Sequence, residues 1–448
     1  MKRRAAFPAW RAALLPLAGL FLWLAAVPAN AVPIERIVSP LGIEAWLVRE
    51  LALPLVTMQY AFRGGASQDP AGKPGVSTFA SGLLDEGAGN LDSKAFHERL
   101  ESRAIEMRFS SGRDVLQGSL RTLSENRDEA ANLLRLALTA PRFDATAVER
   151  VRGQLFSDLR RESTNPRALA SLRWWAAAFP NHPYGRPVNG TLESVAQIGV
   201  EDLRAYIKRV LARDNLKIAI VGDIDAVTAG AMIDRIFGAL PAKAELAPVS
   251  YAEPQALGRR IDVKLDVPQA NIVFGGVGIA RKDPDFMAAY VVDHIVGGGT
   301  FSSRLYNEVR EKRGLAYSVG GSLVWLHNAA VNLGSTATRS NKVGETLQVI
   351  DEEIRRMAES GPTAEELKKA KAYLKGSFAL NLDTSRSIAS ALLQIQLDDL
   401  GIDYIDKRNA LIDAVTLDDA KRVAKRLLDG KMLVSVVGRT QGGLTTQN

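Results

Sequence analysis

The chain contains no cysteine. Disulfides, cysteine nucleophiles, thiolate metal sites and lipoprotein anchoring through a cysteine are all excluded. Histidine is nearly as scarce. His97, His182, His294 and His327 are the only four in 448 residues, and no two stand at i, i+3 or i, i+4. A helix carrying two imidazoles for one metal ion is therefore missing. There is no basic cluster interleaved with aromatics, which argues against nucleic acid. The run Gly297, Gly298, Gly299 is not followed by Gly-Lys-Ser/Thr, so it is not a phosphate loop.

Acidic residues are absent before Glu35. Lys2, Arg3, Arg4 and Arg11 precede or flank an apolar run from Leu14 to Val27, and Ala29-Asn30-Ala31 follows. Basic start, short apolar run and A-x-A make a secretory signal over 1–31, with the mature chain beginning at Val32. The rival reading is an uncleaved membrane anchor, but the run falls short of the ~20 residues that span a bilayer, so no membrane association is expected after cleavage. Four of the seven net positive charges leave with this segment, and the mature chain is near +3. With no disulfides available, an exported chain of this size is held together by its apolar core.

The remainder is written twice. EDLRAYIKRVLARDNLKIAIVGD from Glu201 matches LDDAKRVAKRLLDGKMLVSVVGR from Leu417. A shift of 216 positions puts Asp202 on Asp418, Leu211 on Leu427 and Gly222 on Gly438. Each copy reads as an amphipathic helix, a polar turn and a β-branched strand. The helix–turn–helix from Asn126 resembles that from Asn341 at nearly the same offset. Each copy opens on strands, near Trp46 and near Arg259. The expected class is α+β: two homologous domains, each a sheet with helices packed on one face, from an internal duplication. The boundaries are 32–240 and 259–440, with a Pro- and Ala-rich linker over 241–258 and a tail over 441–448.

Three stretches carry a family resemblance: LPLVTMQYAFRGGASQDPAGKPGV from Leu53, FPNHPYGRPVNGTLESVAQIGVEDLRAYI from Phe179, and GGGTFSSRLYNEVREKRGLAYSVGGSL from Gly297. They resemble the insulinase/pitrilysin family of zinc peptidases, the inverzincins, which carry H-x-x-E-H. The resemblance implies a pair of like α+β domains forming half of a peptidase chamber. In that family two histidines on one helix grip Zn²⁺ and the Glu between them activates water. Here the matching positions are Thr78, Ser81 and Gly82, and the third-ligand position falls at or beside Asp158. Thr and Ser hydroxyls are poor zinc ligands and Gly has no side chain, so no metal is expected in this chain.

The resemblance assigns a second group. Arg310 and Tyr317 match an Arg/Tyr pair that hydrogen-bonds the substrate backbone near the scissile carbonyl. A guanidinium and a phenol supply donors where negative charge develops. The plain alternative is that Arg310 pairs with Glu308 or Glu311 and Tyr317 packs on a strand. Gly297, Gly298 and Gly299 read as a flexible turn capped by Thr300 or Ser302, or, by the resemblance, as a loop that touches substrate. Arg304 and Arg313 read as structural or solvent-facing.

The expected function is a non-catalytic, substrate-binding subunit of a heteromeric zinc peptidase. Its partner would be an exported H-x-x-E-H chain holding the zinc, paired as a heterodimer or larger assembly, with a peptide as substrate. The resemblance suggests a bacterial periplasm. The alternatives are a stand-alone peptide-binding or scaffold protein, and a structural subunit of a membrane complex; export argues against the last.

Overall fold

The computed structural model describes residues 33–439; the expected leader at 1–31 and the tail at 441–448 lie outside them.

The first half opens with β1 (Ile34–Val38), β2 (Glu44–Arg49) and β3 (Leu55–Arg63). Burial on both sides of β3 follows from its mixture of β-branched, aromatic and apolar residues. The short helix α1 (Val76–Ser81) comes next. It starts where the buried Asp69 carboxylate accepts from the Gly75 and Ser77 N–H groups at 2.7 and 2.8 Å. A small hairpin, β4 (Gly87–Ala88) and β5 (Leu91–Asp92), leads into α2 (Ser93–Ser102). The hairpin β6 (Glu106–Ser111) and β7 (Val115–Leu123) precedes α3 (Arg127–Thr139) and α4 (Ala145–Thr164). In α5 (Pro166–Ala178), Pro166 takes the first position and Asn165 caps the start. The half ends with α6 (Leu192–Gln197), α7 (Val200–Val210), β8 (Leu216–Gly222) and α8 (Ala226–Phe237).

The second half repeats this plan. Its elements are β9 (Arg260–Lys264), β10 (Gln269–Val277), α9 (Phe286–Asp293), β11 (Ala316–Leu326), β12 (Ala329–Arg339) and α10 (Val343–Ser360). They continue with α11 (Ala364–Leu380), α12 (Ser385–Leu397), α13 (Tyr404–Ala414), α14 (Leu417–Leu428) and β13 (Leu433–Gly438).

The sheets run β1-β2-β8-β3-β7-β6 and β9-β13-β10-β12-β11. Apart from β1 they have the same topology, including one parallel contact each, β2 with β8 and β9 with β13. The duplication extends to side chains. Tyr60 lies over Gly118 across the ladder, and Phe274 lies over Gly334. A Cβ at either glycine would come within 2.3 Å of the facing ring, so only glycine fits. The α+β class and the duplicated sheet-plus-helix plan are those expected.

One feature differs. The sheets were expected to carry helices on a single face, yet each has its second face covered by a helix from the other half. α5 packs on β10 and β13, and α12 packs on β3 and β8. Trp174 Nε1 donates to Leu433 O at 3.0 Å, and Gln396 Nε2 donates to Ile218 O at 2.9 Å, both in buried surroundings. The 241–258 segment is irregular, as expected of a linker, but it is fastened along its length. Ala247 N donates to Gln68 Oε1, Gln255 N to Ala178 O and Gly258 N to Met432 O, at 2.7 to 3.0 Å.

Candidate functional site

The sequence reading named two places, the α1 helix and the segment from Gly297 to Tyr317. On α1, Thr78 Oγ1 donates to Val188 O and Ser81 Oγ donates to Thr78 O, both at 2.9 Å. Both hydroxyls are spent on backbone carbonyls. A Cβ added at Gly82 would meet nothing closer than Val151 Cγ1 at 3.5 Å, so crowding does not impose this glycine. Asp158 lies on the exposed face of α4, paired with Arg161 one turn on. Tetrahedral zinc needs three converging nitrogen or carboxylate donors beside water; these four residues do not fit it. His182 bonds Ser250 O at 2.9 Å, His97 bonds Ser93 O at 2.8 Å, and His294 stacks on Tyr373 at 4.9 Å between centroids. His327 lies against Arg63.

The second place is built on two wide helical turns. Residues His294–Gly298 and Tyr306–Glu311 are π-helical. Such turns cost hydrogen-bond geometry and recur at functional sites. The second carries Arg310, and the chain then turns into β11, which carries Tyr317. The β11–β12 register breaks between Ala316 and Val319, at Tyr317. Arg310 and Tyr317 come together: the guanidinium lies 5.3 Å from the Tyr317 ring and 5.0 Å from the Tyr306 ring. Arg310 Nη1 bonds the Tyr306 hydroxyl and, at 2.6 Å, Glu311. Tyr317 is 84 % exposed, so its phenol faces solvent rather than a core.

Several details depart from expectation. Glu308 does not pair with Arg310; it bonds Lys312 and Arg313. Glu311, the other partner named by the plain alternative, is the acid that holds Arg310. The glycine run is not a free turn. A Cβ at Gly297 would sit 2.7 Å from Gly321 N, so the run packs its backbone directly on β11, while Gly298 is exposed. The hydroxyl that serves the following helix start is that of Ser303, which accepts from Tyr306 N at 3.3 Å, rather than Thr300 or Ser302. Tyr306 escaped the sequence reading. Its place four residues before Arg310, one helical turn away, is the signal that could have found it.

Arg304 is structural, as expected. It is clamped between Glu366 (2.7 and 2.8 Å), Glu353 (3.3 Å) and Gly361 O. Hydrogen bonds from Arg304 hold Glu366 far below the usual carboxylate range, at about 2. Burial instead raises Glu353.

Comparison with known proteins points one way. Residues 197–374 match the family model described as the peptidase M16 inactive domain. A "non-peptidase homolog YmxG" of Helicobacter pylori is 28% identical over 336 residues, 75% of this chain and 77% of that protein. An uncharacterized zinc protease of Streptomyces coelicolor is 26% identical over 385 residues, 85% and 83% of the two chains. Among solved structures, a peptidase M16 inactive domain from Pseudomonas fluorescens superposes with TM-score 0.85 at 27% identity, covering 92% of this chain and 100% of that one.

Proposed function

Because this chain belongs to the M16 (insulinase-type) peptidase family as one of its inactive members, we propose that it is the substrate-binding half of a two-chain zinc peptidase. In this reading it pairs with an H-x-x-E-H subunit that holds the zinc. Arg310 and Tyr317 reach the bound peptide and donate to the scissile carbonyl. The observation that carries the proposal is an asymmetry between the halves. The Thr78 and Ser81 hydroxyls of α1 are spent on backbone carbonyls, whereas half-buried Arg310 and exposed Tyr317 form a donor pair on a helix end and a strand. Rigid elements position such a pair without waiting for substrate. The guanidinium has five N–H donors, and Nη1 alone serves Tyr306 and Glu311.

The chemistry asked of this chain is binding and charge stabilisation. As the carbonyl oxygen becomes an oxyanion, preorganised donors stabilise it more than they stabilise the ground state. The zinc and the activated water belong to the partner. Gly297, Gly298 and Gly299 sit beside β11 and would line the substrate path. The basic and apolar start ending at Ala31 supports export to the periplasm, with mature protein beginning at Val32.

The test is reconstitution. This chain alone should bind no stoichiometric zinc and cleave no peptide, and the mixed pair should cleave. Arg310→Ala and Tyr317→Phe should each lower kcat of the assembled pair by about 10²–10³. Full activity of both variants in an intact complex would leave this chain as a scaffold that closes the chamber. That second reading draws on Arg310 already having Glu311 and Tyr306 as partners.

A further inference from the structure

The duplication supplies an internal comparison that exposes a second site. In the first half, Tyr60 and Phe62 of β3 meet Phe237 of α8 edge to face, with centroids 5.3 and 6.3 Å from the Phe237 ring. All three rings are fully buried. In the second half the register puts Phe274 where Tyr60 stands. Tyr60 is flanked by Gly118 and Ile218, and Phe274 by Gly334 and Val434. Two residues on, Phe62 faces Leu116, while its counterpart Gly276 faces Asn332. Among the described residues no helix follows β13 as α8 follows β8. Two of the three rings thus have no equivalent.

The space they would fill is a cavity of about 290 Å³ between β10 and the helices of the second half. Val296, Leu305, Ile354 and Leu427 close much of it. Its width is not forced by backbone crowding. A Cβ at Gly276 would meet nothing closer than Lys431 O at 3.5 Å, whereas one at Gly275 would strike Asn332 O at 2.2 Å. Gly275 is glycine because the chain passes there; Gly276 leaves a volume open.

The wall is not purely apolar. Asp293, at the end of α9, lines the cavity and is only 7 % exposed. The Leu323 N–H supports its carboxyl, and burial pushes it up to about 7. Asn332, Arg426 and Lys431 are the other polar lining residues, and Arg426 is engaged by Asp283 and Asp285. A buried carboxyl has acceptor capacity beyond one backbone donor, and buried polar groups ordinarily find their partners. A cavity of ~150 Å³ accommodates one benzene, so this one matches a bicyclic ring system.

We propose that this cavity binds a small, planar, apolar molecule carrying one hydrogen-bond donor, with its rings in the place of the two missing aromatics and its donor facing Asp293. Neither Arg310 nor Tyr317 lines this cavity, although Gly297 does, and the binding proposed here does not depend on pairing with a peptidase subunit.

Indole and indene test it as matched probes, since they share a shape and only indole has an N–H. Calorimetric titration of the mature chain should give saturable binding of one indole per chain, about tenfold tighter than indene for one hydrogen bond to a carboxyl. Gly276→Phe, which restores the ring of the first half, should abolish both and raise the melting temperature. Asp293→Ala should bring indole down to the level of indene. Should that variant fail to fold, Gly276→Phe decides alone. Absence of saturable binding to the wild-type chain, or binding undiminished in Gly276→Phe, overturns the proposal. Equal affinity for the two probes in the wild type overturns the role of Asp293.

Discussion

Arg304 illustrates how single residues hold the second half in shape. It is mostly buried, forks onto Glu366 and also serves Glu353, which is itself 3 % exposed. Removing the guanidinium would leave Glu353 buried with Arg356, at 2.7 Å, as its remaining partner, and Glu366 without its fork. Arg304→Ala should therefore cost on the order of 1–3 kcal/mol in chemical denaturation. The pH dependence follows from Glu366, whose folded value near 2 lies below its ordinary 4.5. Its contribution is fully present above the unfolded value and is lost as pH falls from about 4.5 toward 2. Allowing for its partial exposure, that contribution is on the order of 2 kcal/mol. Denaturant melts across that window should show the loss in the wild-type chain and a flatter profile in Arg304→Ala. A profile unchanged by the substitution would mean that Thr363, which caps α11 with Glu366, holds the carboxylate unaided. At the same scale Glu311 pairs with Arg310 at 2.6 Å. Glu311→Gln should move kcat of the reconstituted pair by less than Arg310→Ala, because Tyr306 still holds the guanidinium.

Among the elements, the exchanged helices α5 and α12 bear most on stability. α5 brings Trp174 and Trp175 into a cluster with Val273, Leu433 and Val437 of the second sheet, and Arg113 of the first half lies 3.8 Å over the Trp175 ring. Trp174→Ala should cost roughly 3–5 kcal/mol, the range for emptying a large aromatic site. The lost Leu433 bond adds to this. The loss should appear as a shift of the whole melt, since α5 belongs to both halves. A separate early transition of the second half would show instead that its sheet tolerates exposure of one face. That each of these segments forms a helix could be read from its periodicity and caps. Its destination could not. An amphipathic pattern states that a face must be buried, and either sheet would satisfy it.

Taken as a whole molecule, the described residues from Ile34 to Arg439 form one compact unit, although the sequence repeats with a period near 216. Two exchanged helices and a linker bonded to both halves explain why. A single proteolytic cut within 241–258 should leave the halves associated on gel filtration and melting together; separation of the fragments would contradict the exchange. The amino-acid sequence by itself determined the duplication, because strand and helix periods recur at a constant offset. It also carried the expectation that α1 holds no zinc, because ligand chemistry depends on residue type at fixed helical spacing, and hydroxyls and a glycine at Thr78, Ser81 and Gly82 are poor ligands. Only the tertiary structure decided which sheet each helix covers, that Glu311 rather than Glu308 holds Arg310, and that Tyr306 joins the pair. It alone opened a cavity where Gly276 replaces a ring. These depend on packing between segments far apart in the chain, and local pattern carries no information about what the opposite face will meet.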